Sequence, residues 1–384
     1  MKVLFVNYHH LDSNSGVHIF NLANHLTGMG VECVVCVPWA AEKVNAVGLP
    51  KFEVIEFDRL RREKVVRKFD LIHFWTPREI VRRMSVELLE KFPAPYLVHL
   101  EDNEDYLIDA FSRLPTRWIM KLPSFMQKYL FPSNISHPSF YKEFLGKSTA
   151  ITVITDSLKE ICPSGIPTKT IWAGYQEELK WDMPPDSRLR EELRISVDDY
   201  VVVYTGNVHP ANHEEVASLY RAIWYLNQRG FQTKLIRTGI DHVPFLEPDL
   251  IRSRNNFCIE LGYVSRVMLP SLLSIATVLV QPGSPGKFND YRFPSKIPEY
   301  LASGKPVILP KTNIGLFLRD GQECLLLENG GVVDIAQKLE SLFVDIELRE
   351  KIGRRGKRFA EKQLKWGYLV DQLFDFYLFC RDKK

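Results

Sequence analysis

The sequence has 384 residues, which is more than one hydrophobic core usually supports, so two domains are expected. Its composition, 45% hydrophobic and 25% charged, is typical of a globular protein, and a formal net charge of +3 is too small to indicate nucleic acid as a partner. The apolar run at the N-terminus is shorter than that of a signal peptide, and no stretch approaches a membrane span, which predicts a cytoplasmic protein.

The first half of the chain alternates predicted strands with helices and loops. A strand at 2–7 is followed by a polar loop at 8–16 and a helix at 17–28, and further strands are predicted at 32–37, 52–57, 70–74, 94–100, 150–154 and 169–172. This pattern is typical of α/β proteins with a doubly wound parallel sheet, in which ligands bind outside the carboxyl ends of strands. The loop lacks G-x-G-x-x-G, which disfavours a nicotinamide site, and the spacing of its histidines does not require a metal.

An acidic group, Glu101 to Asp105, follows the strand predicted at 94–100. Four carboxylates at this spacing repel one another, which favours full exposure, a bound cation or a raised pKa on one of them. Three interpretations stay open: a catalytic or acceptor-binding site, a metal site and a solvated acidic loop.

Two basic regions also belong to the first half. Basic residues crowd 59–68, and Arg78, Arg82 and Arg83 follow the strand at 70–74. Such runs are usually a solvated helix face, and the alternative is contact with membrane headgroups or with a phosphate-linked acceptor. Between 111 and 144 basic residues alternate with aromatic ones, which indicates either an inserted helical pair packed on the sheet or contact with a membrane interface or lipid carrier.

The second half repeats the plan of strand, glycine turn and helix. Residues 184–187, Pro-Pro-Asp-Ser, interrupt the chain and cap a helix predicted at 188–194. A strand at 200–205 then ends in Gly206 and Asn207, and strands follow at 233–237 and 258–261. A second lobe with the architecture of the first is therefore predicted, and the apolar spacing from Trp366 to Cys380 predicts a terminal helix with one buried face.

The stretch 278–310 has the strongest functional pattern. An apolar strand leads into a loop rich in proline and glycine, Ser295 stands at the expected N-cap, and a helix at 296–303 ends before Gly304. Unpaired N–H groups and the helix dipole favour phosphate at this end, beside Ser295 and Lys296. Glu299, one turn later, can accept hydrogen bonds from sugar hydroxyls. The alternative is an ordinary surface loop with a capped helix.

Residues 293–308, Phe-Pro-Ser-Lys-Ile-Pro-Glu-Tyr-Leu-Ala-Ser-Gly-Lys-Pro-Val-Ile, resemble the donor-binding segment of retaining family-4 (group 1) glycosyltransferases with the GT-B fold. In that family two glutamates flank a loop that holds a nucleotide diphosphate. Glu299 matches the second glutamate, whereas Tyr291 stands at the position of the first, with Asp290 beside it. The resemblance covers most of the chain and is weakest from 103 to 148.

Other positions match the family or depart from it. Gly16 and Gly206 match glycines of its phosphate-binding loops, and the turn at Tyr263 resembles its base-contacting turn. Glu101 stands where the family commonly has a histidine, and Asp102 matches the following aspartate. The resemblance therefore makes Glu101 and Asp102 the candidate catalytic residues. The basic pair that normally follows the second glycine is missing, so Lys296 is the first candidate to supply positive charge, with Arg237, Lys287 and Arg292 behind it.

For the fold, the resemblance implies two Rossmann-like doubly wound domains that face a cleft. The acceptor-binding domain is expected at 1–178, with the segment 103–148 as an insertion, and the nucleotide-sugar-binding domain at 179–365. The terminal helix, 366–384, is expected to cross back to the first domain.

For function, the resemblance implies transfer of a sugar from a nucleotide diphosphate sugar to an acceptor hydroxyl with retention, in the synthesis of a cell-surface polysaccharide or glycoconjugate. No metal and no cofactor besides this substrate are expected. The expected partners are the donor and a glycan or lipid-linked acceptor, with peripheral contact to the inner face of the membrane as a possibility. A non-catalytic partner subunit and a nucleotide-sugar epimerase or phosphorylase of the same fold are the alternatives.

Overall fold

The computed structural model describes residues 1–64, 67–111, 116–123, 126–127 and 132–382. The chain divides into two compact units. The first consists of Met1–Ala173, Tyr291–Phe293 and Trp366–Lys384, and the second of Gly174–Asp290 and Pro294–Lys365. Each unit is an α/β domain built on a parallel sheet.

The first domain contains a parallel sheet for which seven strands are described, in the order β3-β2-β1-β4-β5-β6-β7. The strands are β1 Lys2–Val6, β2 Glu32–Val37, β3 Glu53–Glu56, β4 Leu71–Trp75, β5 Tyr96–Leu100, β6 Ala150–Val153 and β7 Thr168–Thr170. The α-helices described are Asn14–Gly28, Phe57–Arg62, Glu79–Lys91, Glu104–Phe111, Thr116–Ile119, Pro138–Gly146 and Trp366–Asp382, with 3₁₀ helices at Ala41–Ala46 and Asp156–Ile161. The central strands are almost wholly apolar because helices cover both faces of a parallel sheet.

The second domain contains a parallel sheet with the order β10-β9-β8-β11-β12-β13 among its described strands. They are β8 Tyr200–Thr205, β9 Thr233–Thr238, β10 Cys258–Glu260, β11 Val278–Val280, β12 Val307–Pro310 and β13 Leu325–Leu327. Its α-helices are Ser187–Glu192, His213–Gln228, Pro248–Ser253, Leu269–Ser274, Ile297–Ala302, Val332–Val344 and Ile346–Gln363, and 3₁₀ helices lie at Arg254–Asn256, Arg266–Met268 and Asn313–Phe317. A further 3₁₀ turn is Asn289–Tyr291.

Each sheet reverses its strand order once, which creates a switch point. In the first sheet β1 pairs with both β2 and β4, and in the second β8 pairs with both β9 and β11. At a switch point the following loops diverge to opposite sides of the sheet and leave a crevice outside the carboxyl ends of the strands. The predicted parallel sheets are confirmed.

Two helices begin at residues that differ from the predictions. The first helix starts at Asn14 rather than at Val17, because the Ser13 hydroxyl accepts a hydrogen bond from the Gly16 N–H at 3.1 Å and caps it. The prediction that Ser295 caps the helix near Lys296 is wrong. The Ile297 N–H bonds the Pro294 carbonyl at 3.0 Å, so a turn precedes the helix and Lys296 takes the N-cap position.

The terminal helix Trp366–Asp382 belongs to the first domain. It buries the side chains of Trp366, Leu369, Val370, Leu373, Tyr377 and Cys380, whereas Phe374 is half-buried. Tyr377 shares a hydrogen bond of 2.7 Å with Nδ1 of His73, on β4. The predicted amphipathic helix is therefore confirmed, and it packs on the sheet of the N-terminal half.

The aromatic and basic segment 111–144 is described only in part. Ile119, Tyr141 and Phe144 are buried, and the Tyr141 hydroxyl donates to Asp105 at 2.6 Å, whereas Trp118 is 64% exposed. Other members of the predicted pattern, Arg113, Phe125, Lys128, Tyr129, Leu130 and Phe131, lie outside the described residues. The described part packs as helices in the first domain, and contact of this segment with a membrane stays a prediction.

Candidate functional site

In the first domain, polar side chains gather beyond the carboxyl ends of β1, β4 and β5, with Glu101 at the centre. One carboxylate oxygen of Glu101 accepts a hydrogen bond from the Trp75 indole N–H at 2.7 Å, and the other accepts a short one from the Ser15 hydroxyl. Nδ1 of His18 lies 3.6 Å from the same carboxylate. Glu101 is thus held in one orientation by residues from two elements, the helix Asn14–Gly28 and β4.

The environment of Glu101 gives its carboxyl an unusual acidity. Burial raises the pKa of Glu101 to about 7, and the negative charge of Asp102 acts in the same direction. The hydrogen bonds from Ser15 and Trp75 and the charge of Arg78 oppose this rise. A carboxyl that titrates near neutral pH can exchange a proton with a reacting hydroxyl under ordinary conditions.

Asp102 is held by a buried arginine. The Arg78 guanidinium donates to Asp102 at 3.1 Å, lies over the Tyr8 ring at 4.2 Å from its centre, and approaches Glu104 to 4.0 Å. Arg78 follows β4 through Thr76, whose φ of 69° is uncommon for a β-branched residue. The predicted acidic group is therefore mostly buried at Glu101 and Glu104 and partly solvated at Asp102 and Asp105.

A buried hydrogen-bonded network lies beneath Glu101. The Trp75 ring stacks on His99 with centroids 3.8 Å apart, and Nδ1 of His99 and Nε2 of His73 lie 2.8 and 2.9 Å from the Thr152 hydroxyl. His73 continues the network to Tyr377 in the terminal helix. Burial lowers the pKa of His73 to about 3, so this ring is neutral. The network fixes the plane of the indole that donates to Glu101.

In the second domain, Lys296 and Gly206 meet at the switch point of the sheet. Gly206 directly follows β8, and a Cβ atom built on it would lie 2.6 Å from the Lys296 ammonium nitrogen. The same nitrogen lies 4.4 Å from the centre of the Tyr204 ring. The glycine therefore provides the space that the ammonium occupies, and a side chain at position 206 would displace it.

The Gly206 turn packs closely on the turn after β9. A Cβ on Gly239, whose φ is 102°, would lie 2.4 Å from the Gly206 carbonyl oxygen. The Asn207 side-chain oxygen accepts a hydrogen bond from the Ile240 N–H at 2.9 Å and so ties the two turns together. Asn207 thus has a structural role next to the ammonium.

Glu299 lies one turn beyond Lys296, on a helix whose residues 297–302 are all buried. Its carboxylate accepts a short charge-assisted hydrogen bond from Arg266, which in turn donates to the side-chain oxygen of Gln176 at 3.1 Å. Burial raises the pKa of Glu299, and the charges of Arg266 and Lys296 oppose the rise. Arg266 was not among the residues predicted from the sequence.

Two other predicted donor residues already have partners within the second domain. Arg237 is 3% exposed and pairs with Asp241 at 2.8 Å and with Glu260 at 3.5 Å, so its charge is largely neutralised. Asp290 accepts hydrogen bonds from the Thr312 hydroxyl and from the Gly286 N–H, the latter at 3.1 Å. The Asp290 side chain therefore stabilises the loop to which it belongs.

The remaining candidates differ in their surroundings. Tyr263 is 80% exposed, and Gly262 before it accepts a hydrogen bond from the Gly239 N–H at 2.7 Å. A Cβ on Gly16 would lie 2.4 Å from the Leu11 carbonyl oxygen, so the loop itself requires this glycine. Ser295 lies in the turn before the helix, and Tyr291 is grouped with the first domain.

Among the described residues, no group of three or more His, Cys, Asp or Glu side chains is arranged to hold a metal ion. The described helices also include none that is long and apolar enough to cross a membrane.

Residues 199–345, most of the second domain, match the family described as "Glycosyl transferases group 1". No curated protein matches the sequence. Among solved structures, HepE from Anabaena in complex with UDP aligns with a TM-score of 0.71 and 15% identity, over 98% of this chain and 99% of that chain. The fold is GT-B.

Two further GT-B structures align over nearly the whole chain. Sucrose-phosphate synthase from Thermosynechococcus elongatus has a TM-score of 0.69 and 14% identity, with 98% of both chains covered. A glycosyltransferase from Rickettsia africae has a TM-score of 0.69 and 12% identity, with 100% of both chains covered. The family match over residues 199–345 supports a glycosyltransferase, and these neighbours share the fold.

Several residues around these sites were not among the candidate site residues, although Arg78 was noted as one of the basic residues after β4. Ser15, Trp75 and Arg78 surround the predicted acidic pair, and Arg266 binds Glu299. Trp75 and Arg78 follow or end a strand of the parallel sheet, and that position is the signal that could have identified them. For Arg266 the sequence offers no comparable signal, because it lies in a short turn between β10 and a helix.

Proposed function

We propose that this protein is a glycosyltransferase that moves a sugar from a nucleoside diphosphate sugar to an acceptor hydroxyl with retention of the anomeric configuration. The observation behind the proposal is the Lys296 ammonium at the Gly206 turn, at the switch point of a domain that matches group 1 glycosyltransferases. In such sheets, the switch point is where ligands bind.

Breaking the bond between the sugar C1 and the diphosphate oxygen leaves negative charge on the departing diphosphate. A cation beside that oxygen stabilises the transition state more than the ground state, since the charge develops as the bond breaks. In our proposal Lys296 has this role, and the backbone N–H group of Ser295 assists it. The Gly206 N–H already donates to the Thr238 carbonyl at 3.2 Å, so this glycine contributes space for the ammonium rather than a donor. Arg237 contributes less, because Asp241 and Glu260 already neutralise it.

The nucleoside is proposed to bind in the same domain. Glu299 would accept hydrogen bonds from the ribose hydroxyls, and the backbone at Tyr263 would contact the base. HepE has been crystallised with UDP and with UDP-glucose, which makes UDP the first nucleotide to test here. Asp290 or Tyr291 would contact the donor sugar.

The acceptor is proposed to bind at the Glu101 cluster of the first domain. The acceptor oxygen forms the new bond to C1 as the diphosphate leaves, and its proton passes to the Glu101 carboxylate, whose pKa of about 7 suits this transfer. Asp102, fixed by Arg78, would orient the acceptor hydroxyl.

The resemblance to group 1 glycosyltransferases also suggests where the protein acts. We infer a role in the synthesis of a cell-surface polysaccharide or glycoconjugate in the cytoplasm, with peripheral contact to the inner face of the membrane. The basic residues at 59–68 and the segment 111–144 are the candidates for that contact. A glycan or a lipid-linked acceptor fits this setting.

The proposal is tested by incubating the protein with UDP-, GDP- and ADP-sugars, with and without simple glycoside acceptors. Acceptor-dependent release of the nucleoside diphosphate is expected, and NMR of the product should show the donor's anomeric configuration. The reaction should persist in EDTA, because no metal is proposed. Loss of activity in EDTA with rescue by Mn²⁺ would reject metal independence, and release of no nucleotide with any donor would reject the transferase.

The environment of Asp290 favours one alternative, a non-catalytic partner subunit. Its carboxylate is engaged by Thr312 and Gly286, and Tyr291 stands where the related enzymes have a glutamate. Melting temperatures distinguish the alternatives, because a ligand bound only by the native state raises this temperature. A melting temperature that no nucleotide sugar raises would favour the partner subunit.

A further inference from the structure

Arg266 and Glu299 form an ion pair in the second domain, and the proposed mechanism gives Arg266 no role. The guanidinium comes from the 3₁₀ turn Arg266–Met268 and the carboxylate from the helix Ile297–Ala302. Glu299 exposes 8% of its side chain and Arg266 exposes 31%. Gln176 holds Arg266 from a third segment through a hydrogen bond of 3.1 Å to the guanidinium Nε.

This geometry leaves one oxygen of the Glu299 carboxylate for another donor. Arg266 bonds Oε1, and a carboxylate can accept hydrogen bonds on both oxygens. A buried carboxyl without a cationic partner would take up a proton, and a protonated carboxyl is a poorer acceptor for hydroxyl groups. The state of Glu299 at neutral pH therefore depends on Arg266.

We propose that Arg266 is a positioning residue for donor binding, which keeps Glu299 ionised and turned so that its second oxygen accepts hydrogen bonds from the ribose of a nucleoside diphosphate. The inference rests on the proposed function and adds to it a residue that the sequence did not indicate. Arg266 itself acts through Glu299.

Two other titratable groups bear on Glu299, and neither would hide the effect of removing Arg266. Lys296 precedes the helix and also favours the ionised carboxylate, and the hydroxyl of Tyr300 on the same helix is neutral because burial raises its pKa. Within the described residues these are the titratable groups that bear on Glu299. Removing Arg266 should therefore raise the pKa of Glu299 while Lys296 still limits the rise.

The test compares Arg266→Met, Arg266→Lys and Glu299→Gln with a matched control, Arg229→Met, which removes an arginine from a surface pair with Glu340 in the same domain. Carboxyl-carbon NMR follows the titration of Glu299, identified by its loss in Glu299→Gln. Calorimetry gives the Kd of UDP at several pH values. Arg266→Met should raise the Glu299 pKa and weaken UDP binding about tenfold near pH 6.5, with recovery as pH rises.

Three further outcomes separate positioning from a general structural effect. Arg266→Lys should restore most of the affinity, Arg229→Met should bind UDP as the wild type does, and Arg266→Met should have no further effect in the Glu299→Gln background. An unchanged Glu299 titration, or additive losses in the double variant, would overturn the inference while leaving the proposed function intact. A wild type that binds none of UDP, GDP and ADP would reject both.

Discussion

Replacement of Lys296 by methionine is the most direct test of the proposed diphosphate-binding site. Methionine keeps most of the side-chain length but removes the ammonium that lies against Gly206. A hydrogen bond to a charged group contributes roughly 1.5–3 kcal/mol, so the Kd of UDP should rise about 10- to 150-fold, since 1.4 kcal/mol corresponds to a factor of ten. Isothermal titration calorimetry at about 0.15 M salt measures this change while screening distant charges.

A control and a second variant sharpen this experiment. Lys311→Met removes an exposed lysine that pairs with Glu328 at 3.2 Å in the same domain, and it should leave the Kd unchanged. Gly206→Ala keeps the lysine, but its Cβ would lie 2.6 Å from the ammonium nitrogen, so the ammonium must move and UDP binding should again weaken. If Lys296→Met binds UDP as tightly as Lys311→Met does, the ammonium is not the diphosphate anchor.

Four other predictions concern the first domain. Transfer activity should rise with pH through about 7 as Glu101 ionises, and a flat pH–rate profile would contradict its role as general base. The kcat of Glu101→Gln should be about 10²- to 10⁴-fold lower than that of the wild type. Folding raises the pKa of Glu101 from 4.5 to about 7, so ionisation of this carboxyl destabilises the folded state. The unfolding free energy of the wild type, measured in urea and compared with that of Glu101→Gln, should fall by roughly 3 kcal/mol between pH 4.5 and 7. If the difference between the two proteins does not change with pH, the carboxyl is not buried in solution. Trp75→Phe removes a hydrogen bond to the ionised carboxylate, so the midpoint of the pH–rate profile should move to higher pH. Tyr377→Phe breaks the bond to His73 and should reduce the unfolding free energy by about 1 kcal/mol; no change would mean that water replaces the hydroxyl.

Much of the fold was predictable because it depends on local pattern. The strand Tyr200–Thr205 has its predicted bounds, and the strands before and after the helix near Lys296 are apolar runs that a parallel sheet buries on both faces. The amphipathic spacing from Trp366 to Cys380 likewise indicated the buried face of the terminal helix. The predictions were wrong at two helix starts, because a single hydrogen bond determines the first residue of a helix. The examples are the cap by Ser13 and the turn before Ile297.

The candidate site was predictable only in outline. Strand ends in a parallel sheet indicated Glu101, Asp102, Gly206 and Lys296, because ligands bind at that edge. The ammonium of Lys296 lies at Gly206, although 90 residues separate them in the chain, because β11 pairs with β8 and the loops that follow these strands leave the sheet at the same edge.

The sequence by itself determined the two parallel sheets, their order of elements and the residues at their carboxyl ends, since periodicity and glycine turns act within a few residues of the chain. Only the tertiary structure decided the partners of those residues. Ser15 and Glu101 lie 86 positions apart, Trp75 and Glu101 lie 26 apart, and Arg266 and Glu299 lie 33 apart. Their contacts set the charge and orientation of the two carboxylates, because burial and hydrogen bonding are properties of the packed chain.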